Sequence, residues 1–129
     1  MKEKFQLDYV LGKVSTNLLW QKISTTQGLS EWFADDVRLN GIEYTFVWND
    51  EEEKAVLKMS RLGVYVRFHW TDDDEPKSFF EIRISVDELT EDVILNITDF
   101  CNHDDYEDCV ETWNMQIDEL MKNLGLKKV

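Results

Sequence analysis

The stretch "CNHDDYEDC", residues 101–109, holds both cysteines of the chain and one of its two histidines. Thiolate and imidazole are zinc ligands, so Cys101, His103 and Cys109 are the first group to weigh. Structural zinc takes four ligands, usually in closely spaced pairs. A Cys-x-His followed by one distant cysteine supplies three and lacks that pairing. The segment therefore predicts a Cys109 buried on a helix face and a loop His103, with no metal. The run "TDDDEPKS", residues 71–78, raises the same question for calcium. It lacks the glycine and the closing glutamate of a calcium loop, and it reads as a solvated turn around the only proline.

Hydrolytic chemistry finds no better footing. There is no G-x-S-x-G sequence and no glycine-rich phosphate loop. Strand alternation puts His69 on the face opposite Val64, Val66, Phe68 and Trp70, so no nucleophile and base can be placed together. The chain is expected to be non-catalytic and to need no cofactor. Its formal charge of −13 would repel phosphate backbones and anionic lipid, which argues against nucleic-acid and membrane partners. No apolar run approaches the ~18 residues of a membrane span, and "MKEKFQLDYVLGK" lacks the apolar core of a signal peptide. Two thiols without a framework pattern suit a reducing compartment. The expected location is the cytoplasm.

What remains is apolar chemistry. Five Trp, seven Phe and four Tyr in 129 residues either fill an unusually bulky core or line a cavity. The elements decide where they point. "FQLDYVL" alternates Phe5, Leu7, Tyr9 and Leu11 as a first strand. Ser15 is placed to cap a helix, with Val14 and Leu19 as its hydrophobic staple and Leu19, Trp20 and Ile23 as its apolar face. That helix should break near Thr25-Thr26. A second short helix should cover about Leu29 to Phe33, within "TTQGLSEWF".

Beyond it, Asn40-Gly41 predicts a type I′ hairpin turn, followed by Ile42, Tyr44, Phe46 and Trp48 on one face. Asn49 to Glu53 read as an acidic loop. "AVLKMSR", "VYVRFHW", "FFEIRISV" and "DVILNITDF" follow as strands. Val66, Phe68 and Trp70 share a face, as do Phe80, Ile82 and Ile84. From about Asp104 the period changes from two to 3.6. Tyr106, Cys109, Val110, Trp113, Ile117, Leu120, Met121 and Leu124 then mark a helix of about 20 residues, with Gly125 as its stop.

The order is strand, two short helices, six strands, one long helix. No linker or repeat divides residues 1–129. Strands joined by short turns pair antiparallel, and each element has one apolar face to bury. The economical solution is an α+β fold, a curved antiparallel sheet of about seven strands wrapped around the final helix.

That order resembles the START-like superfamily of helix-grip proteins, also called SRPBCC. Leu19-Trp20, "TTQGLSEWF" and the hairpin after it are similar to the small branch related to heat-shock ATPase activator homologues. The resemblance implies a sheet gripping the C-terminal helix, often with an apolar cavity between them. Members bind lipids, hormones or polyketides, or serve as interaction modules. Two readings follow. In the first, an apolar or amphipathic small molecule binds among Trp32, Tyr44, Phe46, Phe68, Phe80, Ile82, Trp113, Ile117 and Met121. Trp113 should then touch Phe46 and Phe68. In the second, the core is filled, and the chain docks on a protein partner through its acidic surface or an exposed edge, or on itself as a homodimer. Arg67, His69 and Phe79 on the outer sheet face would serve that reading.

Overall fold

A computed structural model describes residues 2–126. Strand β1 (Lys2–Gly12) leads into α1 (Thr16–Ser24) and the four-residue α2 (Thr26–Leu29). Strands β2 (Asp36–Asn40), β3 (Glu43–Trp48), β4 (Glu51–Arg61), β5 (Tyr65–Trp70), β6 (Phe80–Val86) and β7 (Val93–Asn102) follow. A 3-10 turn, His103–Asp105, opens the long helix α3 (Tyr106–Asn123). All seven strands form one antiparallel sheet in the order β1-β7-β6-β5-β4-β3-β2. The first strand thus closes against the last. The remaining strands are hairpin neighbours, which is the arrangement that the short turns require.

Local chemistry accounts for the connections. The Ser15 hydroxyl accepts from the Leu18 amide at 3.2 Å and caps α1. The Thr25 hydroxyl ends α1 by donating to Gln21 O (2.8 Å), and it caps α2 by accepting from the Gly28 amide (2.9 Å). Gly28 lets α2 lie directly on α1, since a Cβ there would stand 2.1 Å from the Gln21 carbonyl oxygen. The second helix is thus shorter and earlier than the residue pattern suggests. It ends at Leu29, and residues 30–33 form turns. Helix α3 ends where Gly125 takes a φ of +76°.

Two turns differ from expectation. Asn40 pairs with Glu43 inside the ladder, so Gly41 and Ile42 form the loop, with a positive φ at Gly41 alone. That is the II′ pattern rather than I′. The I′ pattern belongs to Asn49 and Asp50, whose φ values are +50° and +67°, between the paired Trp48 and Glu51. Asn and Asp tolerate this region best after glycine. The acidic loop therefore shrinks to two residues, and Glu51 to Glu53 are strand.

The core lies between the concave sheet face and the helices. It takes Leu19 and Ile23 from α1, Phe46 and Phe68 from the middle of the sheet, Leu95 and Ile97 from β7, and Trp113, Ile117 and Leu120 from α3. Among the described residues no buried side-chain nitrogen or oxygen lacks a hydrogen-bond partner. No helix among them is long and apolar enough to cross a membrane.

Candidate functional site

Strands β3 and β5 send three aromatic or branched side chains each toward the concave face. Tyr44 and Phe46, Val66 and Phe68 are closed off, whereas the last of each series, Trp48 and Trp70, is only half-buried. These two indoles stand where the sheet runs out from under its cover. Phe33, delivered by the turn after α2, sits against Trp48 with ring centroids 5.4 Å apart. Trp48 meets Trp70 at 6.0 Å, and Trp70 stacks on Phe80 at 4.9 Å. Phe80 meets Trp113 at 6.2 Å, and Trp113 returns to Phe33 at 5.7 Å. The five rings close a loop. Phe33 and Phe80, 5.6 Å apart and stacked, form its floor.

The loop borders an open cleft of about 300 Å³ between the sheet and α3, within the size range of small-ligand sites. Its polar groups are few. Trp48 Nε1 and Gln116 Nε2 both donate to Phe33 O, at 2.8 and 2.9 Å. They pin the turn that carries Phe33. Trp113 Nε1 donates to Asp99 Oδ2 at 2.8 Å, and the Phe100 amide donates to Asp99 Oδ1 at 2.7 Å. Burial pushes the Asp99 carboxyl up to about 6 despite these two bonds, which oppose the shift. Glu53 and Thr112 complete the rim. A larger groove of about 730 Å³ adjoins the cleft along Ser30 to Asp35 and the outer side of α3, but charged residues such as Glu31, Glu119 and Lys122 line much of it.

The sequence-derived set divides on this geometry. Phe80 and Trp113 line the cleft, and Trp32 lines the adjoining groove. Tyr44, Phe46, Phe68, Ile82 and Ile117 border neither opening and are packed inside; Phe80 and Trp113 are as deeply buried, at 0% and 5% exposed, but stand directly behind the cleft. Met121 packs at the edge of that core. Trp113 makes its ring contacts with Phe33 and Phe80, and Phe80 stands between it and Phe68, 4.9 Å away. The expected touch on Phe46 and Phe68 is thus relayed through Phe80. Phe33, Trp48, Trp70, Glu53 and Asp99 were not in the set. Alternation carries the signal for Asp99: Val93, Leu95, Ile97, Asp99 and Cys101 fall on one face of β7, so a carboxylate stands in an otherwise apolar inward row.

The other chemical candidates resolve as follows. Cys101 and Cys109 lie side by side. Burial, followed by the hydrogen bond to Cys101, pushes the Cys109 thiol up to about 12. Among the described residues no three His, Cys, Asp or Glu side chains are grouped to hold a metal ion. The "TDDDEPKS" turn is exposed apart from Asp73 and Ser78. Burial opposes ionisation of Asp73, but hydrogen bonds from Lys2, Ser78 and the Glu75 amide hold its carboxyl down at about 2. On the outer sheet face Arg67 lies 4.1 Å over Phe79 and pairs with Glu81 at 2.9 Å. His69 Nδ1 bonds Ser78 O at 2.8 Å, and Phe79 packs edge-on against Phe100 at 5.0 Å. These side chains are engaged with one another.

Comparison with known proteins agrees with this architecture. A family model described as START-like superfamily domain matches residues 1–126. No curated protein matches the chain. The solution structure of BfR322 from Bacteroides fragilis is 38% identical, covering 99% of this chain and 95% of that one, with a TM-score of 0.64. The solution structure of the Aha1 dimer from Colwellia psychrerythraea is 16% identical over 96% of each chain, with a TM-score of 0.73. ChR145 from Cytophaga hutchinsonii is 12% identical, covering 95% and 94%, with a TM-score of 0.72. The last two likenesses concern the fold alone.

Proposed function

The chain belongs to the START-like superfamily, and from that membership we propose that it binds an amphipathic small molecule in the cleft between the sheet and α3, without catalysing a reaction on it. One observation carries the reading. The core's aromatic series does not end at the sheet's cover; it continues into Trp48 and Trp70, which are half-buried and face an open space beside Phe33, Phe80 and Trp113. A single tryptophan is seldom fully sealed even in a core; what supports the reading is that two of them border the same open space. The non-catalytic reading is supported by chemistry: no nucleophile stands beside a base at the cleft, whose half-buried acid, Asp99, bonds an indole and an amide. The two free cysteines suit a cytoplasmic protein. An interaction module docking through the outer sheet face is the weaker reading, because Arg67, His69 and Phe79 already satisfy one another and their neighbours.

Nile red, an uncharged dye that brightens in apolar surroundings, tests the proposal. The folded protein should enhance its fluorescence saturably. Thr112→Trp, on the exposed helix side of the opening, should fill the cleft and remove the enhancement while leaving the melting curve intact. Equal enhancement by both proteins would place the dye elsewhere and sink the assignment.

A further inference from the structure

We propose that the cleft is built for a ligand bearing a positively charged ammonium head, held against its aromatic wall and beside its two carboxylates. This rests on the cleft being a binding site, and it adds the chemical class of what binds.

The wall is the first observation. Trp48 and Trp70 expose their indoles at the cleft, and Phe33, Phe80 and Trp113, each 5% exposed or less, back them, with each ring within 6.2 Å of the next around the loop. A ring face carries the negative part of the aromatic quadrupole, and tryptophan attracts cations most strongly. A set of rings around an opening is how proteins recognise alkylammonium groups without a directional hydrogen bond.

The charge is the second, and it is independent of the first. The lining includes the carboxylates of Asp99 and Glu53 and no lysine, arginine or histidine. Both carboxylates come from the concave face. Asp99 follows Leu95 and Ile97 in the inward row of β7, and Glu53 is paired in register with the fully buried Phe46. Glu53 is exposed, and its carboxylate has neither a hydrogen bond nor an ion pair among the described residues. The cation nearest to Asp99 in effect is Lys2, whose ammonium is committed to Asp73 at 2.8 Å. The indole and amide bonds to Asp99 use one acceptor site on each oxygen, and an ionised carboxylate has about four. An inward position next to Ile97 would pack better with an apolar side chain. Burial raises the Asp99 carboxyl, so the fold holds this negative charge at a cost, and a cationic ligand would offset it. An anionic or fatty-acid head would meet two like charges in the same space.

The test uses three eight-carbon amphiphiles below their micelle concentrations, in about 0.15 M salt to screen the protein's overall charge. Octyltrimethylammonium, octyl glucoside and octanoate carry positive, neutral and negative heads. Tryptophan fluorescence should report octyltrimethylammonium binding roughly tenfold tighter than octyl glucoside, with octanoate weakest. Asp99→Asn and Glu53→Gln should each reduce that preference, and the pair together should erase it. Glu88→Gln, at the far end of the β6–β7 pair, should leave the preference intact. Equal binding of all three probes, or tightest binding of octanoate, would overturn the cationic ligand and leave the cleft standing. An effect of Glu88→Gln equal to that of Asp99→Asn would reduce the preference to diffuse attraction, and overturn it too. Failure of every probe to bind would remove the cleft reading itself.

Discussion

Asp99→Asn should stabilise the protein at neutral pH, although it replaces a hydrogen-bonded group. The amide is nearly isosteric with the carboxylate, and its oxygen can still accept from Trp113 Nε1, although its nitrogen leaves the Phe100 N–H without that acceptor. What it removes is a charge that the fold disfavours. Burial lifts the Asp99 carboxyl from 3.8 to about 6, with Lys2 and Asp73 acting on it in opposite directions. A group whose folded pKa lies above its unfolded one binds its proton more tightly when folded. Its contribution is therefore fully present below about 4 and is lost as pH rises through about 6. At 1.36 kcal/mol per unit, that loss is about 3 kcal/mol at most. Solvent reaching Asp99 from the cleft, the weaker bond that a neutral amide accepts and the loss of the Phe100 amide's acceptor should trim the gain to about 1 kcal/mol or less. Urea unfolding of both proteins at pH 7.5 and pH 4 reads the difference. Asp99→Asn should be the more stable at pH 7.5, and the gap should close by pH 4. A variant less stable at pH 7.5, or a gap independent of pH, would show that Asp99 is not held ionised against its surroundings. A more stable protein that has also lost its preference for cations would mark Asp99 as kept for binding rather than for folding.

Two further outcomes test the packing. Trp113→Ala should cost roughly 3–5 kcal/mol in urea unfolding, because the side chain is 5% exposed and part of the core. Met115→Ala, at a position 61% exposed on the same helix, should change stability by about 0.5 kcal/mol or less, and equal effects would mean that α3 does not grip the sheet through Trp113. Gly28→Ala should destabilise by about 2 kcal/mol or more, since the new methyl group would meet rigid backbone of α1 rather than a side chain that can move. A neutral result in thermal unfolding would show that α2 can slide.

The fold was legible because its signals were local and repeated. The inward row of β5, the alternation of β6 and the 3.6 period after Asp104 each specify a face, and the faces leave one economical packing. The turns were harder. Asn40-Gly41 looks like the strongest I′ pair, yet the ladder takes in Asn40. The true I′ pair, Asn49-Asp50, is hidden in an acidic run that composition assigns to a loop. That error also conceals Glu53 as an inward strand residue. The site was legible only in part. Alternation marks inward apolar residues as its lining, but most of them, such as Phe46 and Ile117, are sealed by their neighbours. The residues bordering open space are those at the ends of their strands, Trp48 and Trp70. Only the length of the helical cover decides that, and no single strand encodes it. Asp99 was readable as the one acid in an apolar row.

The five indole N–H groups give the most direct test of the central claim, that the cleft between sheet and α3 is a ligand site. They belong to Trp20, Trp32, Trp48, Trp70 and Trp113, and each gives its own resonance in a proton–nitrogen correlation spectrum. Titration with octyltrimethylammonium should move the Trp48, Trp70 and Trp113 signals together along one saturable curve, with those of Trp20 and Trp32 nearly still. Movement confined to Trp20 or Trp32, or no saturable movement at all, would contradict the account.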